Sequence, residues 1–348
     1  MAMDRFEDII GQDEAVRHLQ TALKEHRISH SYIIHGDRGS SKKELAMAFA
    51  AALLCEQPEN GNGIVEPCGK CRSCLQVLAG DHPDIRVFTH RKKTPSEKSV
   101  ALNVDEVRAL RSDVQIKPYS SGYKIYIVEH AESMNASAQN ALLKTLEEPP
   151  EYAVIFLLSE NLSTFLPTVL SRCVTLQLHP VAENLIAAYL EKKELASKER
   201  AALLAGLSHG NLQRAAELSR DEDFAAFLGE ALALLRTLQG RNAAEIIDFT
   251  QKIADKKLEI SRADDFLDIT ESYYRDILLH KAGMRQESLI FKGEIPYIAE
   301  TAEQLSMQQI QQILEAAETA RRRRSNAGND ALILEMMLLD IRSVLKSR

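Results

Sequence analysis

Ser31-Tyr32-Ile33-Ile34-His35-Gly36-Asp37-Arg38-Gly39-Ser40-Ser41-Lys42-Lys43-Glu44-Leu45 decides how this chain reads. The first five residues are a short apolar run ended by glycine, which predicts a buried strand over Ser31–His35. Gly36 opens a loop of small and polar residues that runs to Ser41. An alanine- and leucine-rich stretch then predicts a helix over Lys42–Leu54. Strand, glycine-led loop and helix in that order form the context of a phosphate-binding loop, G-x-x-x-x-G-K-[ST]. Aligned to that template, Gly36 takes the first glycine and Lys42 the lysine. Ser41 stands where the second glycine belongs, and Lys43 where a serine or threonine would hold magnesium.

Each departure has a physical consequence. The second glycine lets the backbone turn its N–H groups towards phosphate, a freedom that serine narrows. The hydroxyl at the next position ligates Mg²⁺, and a protonated lysine cannot. That lysine also brings a cation towards a dication, and one unit pair at 4 Å near a surface is worth about 4 kcal/mol. A second acidic motif is altered in the same way. Lys124-Ile125-Tyr126-Ile127-Val128 predicts a strand whose end should carry an aspartate and a second acid. Glu129 is a longer substitute for the first, and His130 replaces the second. The site therefore predicts no intrinsic ATPase, with ATP bound weakly or not at all.

Outward from this loop, the first half alternates helices with apolar runs. A helix is predicted over Asp13–Glu25, with Val16, Leu19 and Leu23 at helical spacing. Further strands are predicted over Ile85–Phe88, 154–158 and 174–178. Such alternation argues for an α/β fold, a mostly parallel sheet covered by helices on both faces. After Pro180 the strand signal stops. Helices follow, broken near Ser208-His209-Gly210, Gly240 and Gly283, and close with one over 331–345. The polar segment 91–99 reads as a loop.

Five cysteines are present, and four fall at Cys55, Cys68, Cys71 and Cys74. The C-x12-C-x2-C-x2-C spacing lets four thiolates converge on one metal, with Gly69 permitting the tight turn. An iron–sulfur cluster can use the same ligands. Structural zinc is the expectation because no redox cofactor fold is suggested. Four protein ligands leave no open position for catalysis.

The 348 residues carry a formal net charge of −7. A protein that gripped DNA alone would be basic, so any DNA contact is expected to lean on partner subunits. The absence of tryptophan argues against a base-stacking platform. No run of about 18 apolar residues indicates a membrane span, and residues 1–6 do not read as a secretory leader. The expected location is the cytoplasm.

Taken together, these residues resemble the AAA+ clamp-loader subunits of bacterial DNA polymerase III. The resemblance runs from Phe6-Glu7-Asp8-Ile9-Ile10-Gly11-Gln12 to about residue 220 and includes the four-cysteine insertion. It also includes Asn140-Ala141-Leu142-Leu143-Lys144-Thr145-Leu146-Glu147-Glu148-Pro149-Pro150 and Ser171-Arg172-Cys173. The stretch 326–339 resembles the last helix of that family's oligomerising collar. The resemblance implies a nucleotide-binding-type domain over 1–178 with a zinc module at 55–74. It further implies a helical lid over 179–220 and a helical collar over 221–348.

Within that family a degenerate phosphate loop beside an intact Ser-Arg-Cys motif is the delta-prime pattern. Gln213, in Gly210-Asn211-Leu212-Gln213, stands where a motor subunit presents an arginine, and Arg214 comes one position late. The resemblance implies that Arg172 is an arginine finger acting in trans on a neighbouring gamma/tau motor subunit. It implies a delta subunit as another partner, with the sliding clamp and primer–template DNA reached through the complex. In it Gly36, Lys42 and Glu129 would be vestigial nucleotide-site residues. Two alternatives stay open at this stage. One is a gamma/tau-like, ATP-hydrolysing motor with an unusual loop. The other is a zinc-dependent DNA-binding regulator. The run 321–324 of four arginines reads either as a solvated helix end or as a contact with DNA or a subunit.

Overall fold

The computed structural model describes residues 5–61, 63–89, 104–254, 262–325 and 328–347. The expected loop 91–99 lies outside the described residues, as do residues 326 and 327 of the collar stretch. The chain forms two compact units, one of residues 1–185 with 210–213, the other of 186–209 with 214–348. The helices of the expected lid that lie beyond Leu185 group with the later helices.

The first unit is built from α1 (Asp13–Glu25), β1 (Ser31–His35), α2 (Lys42–Leu54), β2 (Glu59–Gly61), β3 (Ile64–Glu66) and α3 (Arg72–Ala79). It continues through β4 (Ile85–Phe88), α4 (Val104–Val114), β5 (Lys124–Val128), α5 (Ala136–Glu147), β6 (Ala153–Ser159), α6 (Pro167–Leu170) and β7 (Val174–Gln177). Five strands form one parallel sheet in the order β4-β5-β6-β1-β7. The expected strands are present, with β7 ending one residue earlier than predicted. The short antiparallel pair β2 and β3 was not anticipated.

The central strands are apolar without alternation because both faces are buried. Tyr32, Ile34, Ile125, Ile127, Val154, Phe156 and Leu158 point into a core with α1 and α2. Ile33, Tyr126, Val128, Ala153, Ile155 and Leu157 point into the opposite core with α4 and α5. Tyr32 and Phe156 stack at 5.1 Å on the first face. Since β1 lies between β6 and β7, its C-terminal end delivers Gly36 to the carboxyl end of the sheet, where parallel sheets place their ligands.

The second unit is helical: α7 (Glu183–Lys192), α8 (Lys198–Leu207), α9 (Leu212–Arg220), α10 (Phe224–Thr237), α11 (Ala243–Ile253), α12 (Ala263–Lys281), α13 (Ile295–Gln304), α14 (Met307–Ser325) and α15 (Asp330–Lys346). The buried face of α12 is lined by Phe266, Leu267, Ile269, Tyr273 and Ile277. Ion pairs bind its other face to its neighbours. Arg321 holds Asp268 and Glu271, both at 2.7 Å. Arg324 joins Asp264 and Asp330. Two of the four arginines at 321–324 thus fasten α14 internally and do not simply end a solvated helix, whereas Arg322 is 69% exposed. No helix among the described residues is long and apolar enough to cross a membrane.

Candidate functional site

The phosphate-loop segment takes the expected strand–loop–helix form. Ser41 precedes α2 in the left-handed conformation, at φ 64° and ψ 31°. A non-glycine residue there costs about 1 kcal/mol, so the loop keeps a glycine-type turn after losing the glycine. Gly39 is also left-handed, at φ +75°, and a Cβ on it would meet the Asn211 side chain at 2.1 Å. Asn211 Nδ2 donates to the Arg38 carbonyl at 3.1 Å. The segment 210–213 therefore clasps the loop directly. The sequence had singled out 210–213 through Gln213, but not the role of Asn211.

Both lysines of the loop have acceptors within the chain. Lys42 Nζ donates to the carbonyls of Gly36 and Asp37, each at 2.7 Å, with Ser40 Oγ at 3.4 Å. Burial holds its ammonium below the ordinary lysine value. Lys43 Nζ lies 2.6 Å from Glu129 Oε1, and the Glu129 side chain is only 17% exposed. Glu129 directly follows β5, and its N–H donates to the Phe88 carbonyl. His130 is left-handed at φ 53°, and its Nδ1 lies 3.5 Å from Glu132. Lys42, Lys43, Glu129, His130, Glu160 and Gln213 line one open pocket of about 320 Å³, at the lower end of small-molecule sites. Of the nucleotide-site residues read from the sequence, Lys42 and Glu129 meet here, while Gly36 is not among the lining residues and joins through its carbonyl's bond to Lys42. Arg214, by contrast, belongs to the second unit, where it pairs with Asp265 and Glu217.

Arg172 follows α6 and leads into β7. Its guanidinium pairs with Glu147 Oε1 at 2.8 Å and donates to the Thr168 carbonyl at 2.9 Å. Glu147 ends α5, so the two sequence stretches singled out separately meet at this point. Gln139 of α5 steers the approach by donating to the Thr164 carbonyl and accepting from Leu166 N–H at 2.7 Å. Ser171 Oγ lies 3.2 Å from the guanidinium. Cys173 packs against the core, and burial pushes its thiol pKa up.

The four clustered cysteines converge. Cys55 follows α2, Cys71 caps α3 and Cys74 lies in its first turn. Their four sulfurs all lie within 4.8 Å of one another. Cys55 and Cys71 are 3.9 Å apart, Cys68 and Cys74 4.0 Å. A disulfide needs about 2.05 Å. A tetrahedron built on metal–sulfur bonds of about 2.3 Å has edges of about 3.8 Å, so the donor set fits a four-thiolate metal. Backbone N–H groups of Cys68, Cys71 and Cys74 point at the sulfurs of Cys55, Cys68 and Cys71. The N–H of Lys70 leads the contacts that draw the Cys68 thiol down to about 6, while burial pushes Cys55 and Cys74 up. Four thiolates this close ionise together only around a cation. The hairpin of β2 and β3 links the module to the N-terminal box. The carboxylate of Glu66 accepts from the N–H groups of Phe6 and Glu7 at 3.2 and 3.0 Å.

Comparison with known proteins follows the same outline. A family model described as "DNA polymerase III, delta subunit" matches residues 11–182, and its C-terminal counterpart matches residues 230–343. The chain is 28% identical over 329 residues to DNA polymerase III subunit delta' of Bacillus subtilis, covering 94% of this chain and 95% of that protein. It is 40% identical over 146 residues to subunit delta' of Pseudomonas aeruginosa, covering 42% of each. It is also 25% identical over 364 aligned positions to subunit tau of Bacillus subtilis, covering 97% of this chain but 61% of the relative.

Proposed function

This chain belongs to the DNA polymerase III clamp-loader family, and we propose that within it the chain is a delta-prime-type subunit without ATPase activity of its own. One observation carries this reading. The positions that would supply the metal hydroxyl, the second acid and the arginine are Lys43, His130 and Gln213, and all three line the same pocket. Loss at one position could be incidental, but loss at three positions of one pocket removes the chemistry.

Arg172 then serves a different site. An arginine finger stabilises charge on a transferred phosphoryl group and is worth roughly 10³–10⁵ in rate. Arg172 is partly exposed, at 35% of its side chain, and is held by a surface ion pair, a carbonyl and the Ser171 hydroxyl. In this reading it reaches into the site of a neighbouring gamma/tau motor. The helices of the second unit join the ring, a delta subunit is a further partner, and the assembly loads the sliding clamp onto primed DNA. Cys55, Cys68, Cys71 and Cys74 would hold structural zinc, which neutralises the thiolates and closes the 55–74 excursion.

The test is a reconstituted loader carrying Arg172→Ala. Surface ion pairs contribute about 0–1 kcal/mol, so folding and assembly should persist. DNA-stimulated ATP hydrolysis should fall sharply. An unchanged rate in a fully assembled complex would overturn the finger. A gamma/tau-like motor is the second reading, favoured by the tau match along nearly the whole chain. ATP hydrolysis by the purified chain alone would establish it.

A further inference from the structure

The fold family implies a magnesium-bound nucleotide at the phosphate loop, and the residues here do not fit one. Mg²⁺ between a loop hydroxyl and a strand-end carboxylate needs oxygens at about 2.0–2.1 Å on either side of it. In this chain the corresponding side chains are Lys43 and Glu129, which touch directly at 2.6 Å. The gap that the metal would bridge is closed by a side chain that is itself a cation.

We propose that the Lys43 ammonium replaces the divalent cation in this pocket, neutralising Glu129 and excluding metal-bound polyphosphate. This deepens the reading of the chain as an ATPase-inactive subunit and rests on it. Glu129 is mostly buried at the end of β5, and a carboxylate there requires a cationic partner. In sites that bind magnesium the metal arrives with the nucleotide, so the acid is satisfied only when ligand is present. Here the partner is covalently part of the chain. Lys42 is arranged the same way, with the Gly36 and Asp37 carbonyls accepting its hydrogen bonds where phosphate oxygens otherwise would. Asn211 closes the third side by donating to the Arg38 carbonyl. The loop is thus bound by its own side chains at the points where a nucleotide would hold it, and its shape no longer depends on ligand.

The remaining charges are mixed, since Arg38 and Lys42 line the pocket too, but Lys42 already donates to the Gly36 and Asp37 carbonyls. Glu44, Glu132 and Glu160 also line the pocket. With Lys43 committed to Glu129, these acids face an incoming polyphosphate that has no metal to shield it. The substitution Lys43→Ser restores a hydroxyl and uncovers Glu129 together.

The experiment compares full-length wild type, Ser41→Gly, Lys43→Ser and the Ser41→Gly/Lys43→Ser double variant. The probe is a fluorescent ATP analogue, titrated with Mg²⁺ and with EDTA. Wild type and Ser41→Gly should show no strengthening by Mg²⁺. The two variants carrying Lys43→Ser should bind at least about tenfold more tightly with Mg²⁺ than with EDTA, and Glu129→Gln in the double variant should abolish that gain. Should Lys43→Ser alone misfold, as judged by circular dichroism, the Ser41→Gly against double-variant comparison carries the test. Mn²⁺ binding followed by electron paramagnetic resonance in the presence of ATP provides a second readout. The proposal is overturned if removing Lys43 confers no metal-dependent gain, or if wild type already gains affinity from Mg²⁺. Failure here leaves the Arg172→Ala assay untouched, and failure of that assay leaves this one untouched.

Discussion

Asp84 shows how much one buried acid can organise. It is 1% exposed, and burial alone would raise its pKa. The donors of the turn before β5 outweigh that effect and hold the carboxyl below its ordinary value. Tyr119, Ser120 and Ser121 donate backbone N–H groups, and Ser120 and Ser121 add their hydroxyls at 3.0 and 2.9 Å. The N–H of Asp84 donates to His82, which in turn bonds Ser73 beside Cys74. Hydrogen bonds to an ionised group are the strong ones, so Asp84→Asn should cost about 2–3 kcal/mol in urea unfolding. Because the native pKa is depressed, this stabilisation is complete above the unfolded value of about 3.9 and is lost as pH falls towards the native one. Asp84→Asn should therefore flatten the loss of stability with acid below about pH 4. An unaltered slope would show that the turn does not depend on the charge.

At the scale of elements, the cysteine module is the least self-sufficient part of the first unit. Its strands β2 and β3 have three residues each and are mostly exposed, and α3 has eight. Such pieces cannot hold shape without a closure. Metal analysis should find one zinc per chain. Free metal at 100 times its dissociation constant stabilises by about 2.7 kcal/mol, so chelation or Cys71→Ser should lower the melting temperature by roughly 5–10 °C. A melting temperature insensitive to both would remove the metal from the account. The sequence announced these cysteines because spacing alone dictates convergence. It also announced β1, β5 and β6, whose unbroken apolar runs report burial on both faces. The hairpin was missed because Glu59-Asn60-Gly61 carries neither β-branching nor alternation, although Asn62-Gly63 followed by the β-branched Ile64-Val65 is a hairpin signal in the sequence. The Lys43–Glu129 contact was equally hidden. The two residues lie 86 positions apart in the chain, Lys43 in the first turn of α2 and Glu129 just past β5, and only the parallel sheet, where β6 alone separates β1 from β5, brings them together.

For the whole molecule, charge constrains the partners. The chain carries a net charge of −7, and much of its arginine is committed internally: Arg262 to Asp221 and Asp265, Arg321 to Asp268 and Glu271, Arg324 to Asp264 and Asp330. DNA affinity comes largely from phosphate neutralisation and the counterions it releases, so it scales with the cations free to face the backbone. A chain with this balance has little to offer a duplex alone, whereas a ring that pools cations from several subunits can surround one. The isolated chain should bind primer–template DNA no more tightly than ordinary non-specific contact, about 10⁻⁴–10⁻⁶ M at physiological salt. Fluorescence anisotropy with labelled primed DNA across a salt series measures this. The assembled loader should bind far more tightly and lose affinity steeply as salt rises. Sub-micromolar binding by the lone chain at physiological salt would contradict a subunit that reaches DNA through its partners, and would favour an independent DNA-binding role.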